Sequence, residues 1–109
     1  MWISARDQAR FGMLSLARGN WAGNQIISED WVKMARTPGK LNPNYGFMNW
    51  TLNTDHKLMP NAPADSFFHS GAGTNRVWVV PSLNLVVVLR WVGGDHFNGF
   101  VDRLLAGVS

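Results

Sequence analysis

The stretch from Arg76 to Trp91 constrains the fold of this chain more than any other. Arg76 to Val80 and Leu85 to Trp91 are rich in β-branched and aromatic residues. The turn-forming Pro81-Ser82-Leu83-Asn84 separates them, so together they read as an antiparallel hairpin. Leu85-Val86-Val87-Val88-Leu89 has no polar residue to turn outward, which suits an interior strand covered on both faces. Gly93-Gly94 breaks the run and Asp95 is expected to cap a helix. In that helix Phe97, Phe100, Val101, Leu104 and Leu105 recur at i, i+3, i+4, i+7 and i+8, the stripe of a helix lying on the sheet.

The upstream half supplies a second layer. Ser4 stands three residues before Asp7, so its hydroxyl can accept from the exposed amides of a first turn, whose positive end Asp7 also favours. A helix from about Ala5 to Arg18 follows, with Ala5, Ala9, Gly12, Met13 and Leu16 on one face. Gly19-Asn20 ends it, Trp21 to Asn24 turn, and Gln25-Ile26-Ile27 are extended. Ser28 then caps a second helix carrying Glu29 and Asp30 in its first turn and stopped near Arg36 by Thr37-Pro38-Gly39. Tyr45 to Leu52 reads as a strand with apolar side chains on both faces. Asn53 to His56 turn the chain, 60–65 form a loop, and Ser66 to Ser70 are a short strand. The expected class is α+β: one unit over 1–109, an antiparallel sheet with the C-terminal helix on one face and the N-terminal helical pair elsewhere.

At 109 residues and 46% hydrophobic, the chain can build one core. Its formal charge of +3 is spread from Arg6 and Arg10 to Arg90 and Arg103 without a basic run, so no nucleic-acid partner is expected. Without cysteine there is no disulfide and no thiolate ligand, and periplasm and cytoplasm both stay open. No stretch approaches the length of a membrane span, and a signal peptide of a longer parent would lie upstream of Met1. His56, His69 and His96, even beside Asp55 and Asp95, match no metal-ligand spacing, so capping or surface roles are expected and no metal. Gly71-Ala72-Gly73 precedes a strand and not a helix, which argues against a nucleotide loop. No cofactor is expected. The tryptophans read mostly as core or groove wall, with Trp50 and Trp78 the foremost candidates to line a pocket.

Phe67-Phe68-His69-Ser70-Gly71-Ala72-Gly73 reads as a strand end that presents a hydroxyl and bare backbone to a cleft. With Val79-Val80-Pro81 and the following apolar strand, it resembles the last catalytic motif of the β-lactamase and penicillin-binding-protein superfamily of serine hydrolases, Lys-Thr/Ser-Gly, in which some members carry His for Lys. Other landmarks occur in the family's order. Ser4-Ala5-Arg6-Asp7-Gln8-Ala9-Arg10-Phe11-Gly12 resembles its helix signature, Ile27 to Val32 its turn into a helix, and Tyr45-Gly46 with Trp50 its Tyr-Gly-x-x-Trp strand.

The resemblance implies a partial β-lactamase-like fold, the C-terminal portion of a parent acting on an ester, amide or β-lactam-like carbonyl through an acyl-enzyme. It implies that His69 replaces the family's Lys, that Ser70 hydrogen-bonds substrate, that Gly71 leaves room for substrate backbone, and that the Ala72 N–H serves the oxyanion hole. The nucleophile is missing: no serine has Lys three residues on, so no catalytic residue is assigned within the chain. Ser82-Leu83-Asn84 matches a second family motif only formally, since it falls in a hairpin turn after His69-Ser70-Gly71. The expected partners are the N-terminal portion of the parent, or a second copy through self-association, and a small-molecule or peptide-like substrate. The alternative is a non-catalytic interaction module that keeps the scaffold.

Overall fold

A computed structural model describes residues 2–48 and 50–108. Helix α1 (Ala5–Leu16) leads through the two-residue strands β1 (Asn20–Trp21) and β2 (Asn24–Gln25) to helix α2 (Glu29–Ala35). Then come β3 (Trp50–Leu52), β4 (Phe67–Gly71), β5 (Asn75–Val80), a 3₁₀ turn (Pro81–Leu83), β6 (Leu85–Leu89) and helix α3 (Gly94–Val108). Strands β3-β4-β5-β6 form one antiparallel sheet in sequence order. The α+β class and the C-terminal helix on the sheet are as the sequence predicts.

Both helical caps form. Ser4 Oγ accepts the Asp7 N–H at 3.1 Å while its own O–H donates to the Asp7 carboxylate at 2.6 Å, and Ser28 Oγ accepts the Trp31 N–H at 3.2 Å. At the hairpin tip, Asn84 takes the left-handed conformation (φ 49°) and donates its N–H to Pro81 O, which returns the chain into β6.

The sheet separates two apolar clusters. On one face Phe68, Trp78, Val80 and Leu89 pack with Phe97 and Val101 of α3 and with Met59 and Ala62 from the segment between β3 and β4. On the other, Trp50, Leu52, Phe67, Val77 and Val79 pack with Val32 and Ala35 of α2. Asn53, fully buried, organises the 53–65 segment: its amide group reaches Met59 O at 2.9 Å and Ala62 O and Pro63 O at 3.3 Å, and its Oδ1 accepts the Met59 N–H at 3.0 Å.

Several sequence expectations are corrected. The inward face of α1 holds Gly12 and Ser15, whereas Ala5 and Met13 are exposed, because close approach and a hydrogen bond, not hydrophobicity, decide which side meets the sheet. The helix stops at Leu16 because Arg18 (φ 53°) and Gly19 (φ 84°) turn left-handed and the Gly19 N–H returns to Leu14 O. Residues 45–52 are not one strand. The Phe47 N–H donates to Ala35 O of α2 and the Gly46 N–H to Trp50 O, so the segment folds back and Tyr45 bridges Thr51. Asn49 of that expected strand lies outside the described residues. Strand β6 ends at Leu89, two residues short of Trp91 (φ 62°), and α3 starts at Gly94 with Asp95 inside its first turn. β6 is an edge strand and not an interior one, although both of its faces are packed: Leu85 and Val87 lie against the α3-side cluster and Val86 and Val88 against the other, all four half-buried.

Candidate functional site

Strand alternation divides the β4 side chains between the two clusters. Phe67 and His69 face the α1/α2 side, and Phe68 faces α3. Ser70 pairs in register with Arg76 of β5, whose guanidinium lies over the Phe97 ring at 4.1 Å and the Phe68 ring at 5.4 Å, so Ser70 and Arg76 share the α3 face. Burial lowers the Arg76 pKa from its ordinary value. Arg76 has no sequence signal of its own beyond standing opposite Ser70 in a hairpin.

The four candidate residues divide sharply. Ser70, Gly71 and Ala72 are exposed, and a Cβ built on Gly71 would meet no atom within 4 Å. Gly73 (φ 77°) and Thr74 (φ 59°) then turn the chain into β5, held by the Asn75 side-chain amide donating to Ala72 O at 2.7 Å. His69 is only 4% exposed, a fraction that removes it from the solvent-facing end of the strand. Its ring lies 4.4 Å from Trp50, 4.8 Å from Phe11 and 5.8 Å from Phe67, centroid to centroid. In that aromatic box the charged imidazolium loses its hydration, and burial pushes the pKa down to about 4. The polar atom that meets the ring is Ser15 Oγ, 3.3 Å from Nε2, while Nδ1 is buried without a hydrogen-bond partner among the described residues. Ser15 is missed by a search for Ser-x-x-Lys; its signal is a serine three residues after Gly12 on the face that turns inward.

Beside this group lies a small cavity of about 130 Å³ lined by Phe11, Ser15, Trp31, Val32, Met48 and Trp50 among others. Trp50 thus meets the expectation of a pocket wall, whereas Trp78 is fully buried in the α3-side core. Trp2, Trp21, Trp31 and Trp91 are exposed, so of the tryptophans expected as core or groove wall, Trp50 and Trp78 are buried and Trp31 stands on the wall of this cavity. A larger groove lined by Arg18, Glu29, Lys33 and Arg36 has no residue of β4 in its walls. Its walls hold the exposed Arg18–Glu29 ion pair, and Arg36 of the same groove lies over the Phe67 ring at 4.5 Å, at the end of β4 away from Ser70 to Ala72.

Ser82 sits at the far end of β5 from Ser70. Its N–H and hydroxyl both donate to the Asp65 carboxylate, at 2.7 and 3.0 Å, which pins the hairpin tip to the preceding loop. Among the described residues no cluster of three His, Asp or Glu side chains is arranged to hold a metal ion, and no helix is long and apolar enough to cross a membrane.

No protein-family model and no curated protein matches the chain. Among solved structures it is similar to a protein from Bacillus anthracis provisionally named a 6-aminohexanoate-dimer hydrolase, with a TM-score of 0.67 and 20% sequence identity over 95% of this chain. The chain spans 28% of that structure's length. At this identity the likeness establishes the fold, an α+β arrangement consistent with the partial β-lactamase-like fold that the sequence landmarks imply.

Proposed function

We propose that the chain is the C-terminal lobe of a serine hydrolase of the β-lactamase and penicillin-binding-protein type. In the intact parent, a serine supplied from elsewhere attacks an ester, amide or β-lactam-like carbonyl. The tetrahedral intermediate collapses to an acyl-enzyme as the C–O or C–N bond breaks, releasing the alcohol or amine or, for a β-lactam, opening the ring with the nitrogen still tethered, and water then releases the acid. The observation that carries this reading is the end of β4, where Ser70, Gly71 and Ala72 lie open with no side chain over Gly71. A carbonyl substrate laid along that strand meets the Ser70 hydroxyl, and the Ala72 N–H is one donor for the developing oxyanion. The fold likeness to a structure named for hydrolysis of an aminohexanoate dimer supports an amide among the candidate substrates.

A second reading is an interaction module that keeps the scaffold without the chemistry. It is favoured by the absence of Ser-x-x-Lys from the 109 residues and by the open edge of β6. A fluorophosphonate probe applied to the intact parent separates the two. The hydrolase reading expects one stoichiometric label on a serine outside this segment, and a parent that takes up none supports the interaction module.

A further inference from the structure

Ser15 Oγ lies between two groups, 3.1 Å from Phe11 O one helical turn back and 3.3 Å from His69 Nε2. A hydroxyl has one proton to give, and a carbonyl can only accept. With the proton donated to Phe11 O, Ser15 meets the imidazole with a lone pair, so Nε2 must carry the hydrogen. A neutral ring has one N–H, which leaves Nδ1 as a bare acceptor. The opposite arrangement, Ser15 donating to Nε2, puts the hydrogen on Nδ1, an atom buried without a partner. Orphaned buried N–H groups are rarer and costlier than under-used acceptors, so the first arrangement wins.

We propose that Ser15 is a positioning residue that locks His69 as the neutral Nε2–H tautomer, so that the free function of the imidazole is a hydrogen-bond acceptor at Nδ1. Phe11, Trp50 and Phe67 surround the ring with Ser15, and among the described residues burial, with no charged partner, accounts for its shifted pKa. Burial, which holds the ring uncharged near neutral pH, agrees with that geometry.

Long-range proton–nitrogen correlation spectra of the histidine-labelled 109-residue chain test the tautomer without any activity. His69 should show a protonated Nε2 and an unprotonated Nδ1 near neutral pH, against the exposed His56 and His96 in the same spectrum. Ser15→Ala should mix or reverse the tautomers, and Ser15→Thr, which keeps the hydroxyl, should retain the wild-type pattern. An Nδ1–H or doubly protonated His69 in the wild type overturns the proposal even if no variant folds, and so does an unchanged pattern in folded Ser15→Ala.

Discussion

Gly12 of α1 sits directly on Val86 of β6: a Cβ built on Gly12 would fall 2.5 Å from Val86 Cγ1 and 2.7 Å from Val77 Cγ1. Gly12→Ala should therefore destabilise the chain, although alanine is the better helix former by about 1 kcal/mol. Overpacking at such a contact costs about 1 to 3 kcal/mol, because the clashing methyls belong to stiff β-branched side chains on the adjacent strands β5 and β6. Urea unfolding should show a net loss for Gly12→Ala and favourable coupling with Val86→Ala. Additive behaviour of the pair would show that α1 does not seat on β6.

Asn53 predicts a second large effect at a position with no hydrophobic content. Asn53→Ala removes the donor shared among Met59 O, Ala62 O and Pro63 O and the acceptor for the Met59 N–H, all in a buried loop. A loss of about 2 to 4 kcal/mol is expected, the scale of stranding buried backbone groups. Denaturant midpoints within a few tenths of a kilocalorie of wild type would contradict it.

The contrast between these residues and the helical caps shows what the sequence makes legible. Ser4 and Ser28 each act on an amide three residues away, so local spacing suffices to place α1 and α2. The hairpin of β5 and β6 is also local. The fold-back at 45–52 depends on the Phe47 N–H reaching Ala35 O in another helix, and a run that is apolar on both faces carries no trace of that partner. The same holds for the site. Alternation from Phe67 puts His69 on a core-facing side, but nothing in the sequence says that Ser15 waits there. Ser70 to Ala72 are legible as a strand end because their small side chains follow an apolar pair.

His69 makes stability depend on pH in a definite direction. Its pKa falls from the ordinary 6.5 to about 4 on folding, so between those values the unfolded chain binds the extra proton. Stability is therefore fully present above about pH 6.5 and declines as pH drops toward 4, by about 2 to 3 kcal/mol for a shift of this size. Asp7 and Asp55, whose pKa values are lowered from 3.8, act in a lower window. Chemical denaturation near pH 7 and pH 4.5 should show the loss in wild type and a flatter profile in His69→Gln. Equal slopes would mean that the ring is solvated.

Ser70 and Ser82 lie at opposite ends of the β4–β5 region, and their variants should behave differently in the intact parent. Ser70→Ala should lower turnover by removing a substrate hydrogen bond. Ser82→Ala loses one exposed bond to Asp65 and keeps the other, so it should stay within about 0.5 kcal/mol in stability and unchanged in rate. Steady-state kinetics in which the two variants fall together would move the site away from the end of β4.

The two edges of the sheet are guarded unequally, and the difference predicts how the isolated chain behaves in solution. Beyond β3, the chain folds back so that Tyr45 bridges Thr51 and the Leu52 N–H reaches Asn44 O, which uses backbone groups that would otherwise face outward. Nothing equivalent covers β6 among the described residues. Its five residues are all Leu or Val, with no charge, proline or bulge to blunt pairing, and the nearest charge, Arg90, lies just past its end and leans toward Ile3 O. A free apolar edge is a template for a second copy, most simply by antiparallel pairing of β6 with itself about a two-fold axis. Sedimentation equilibrium at tens of micromolar should therefore give a dimer mass, with amide exchange across Leu85–Leu89 slowing as concentration rises. A stable monomer whose β6 amides are already slow to exchange would mean that this edge is protected within one chain.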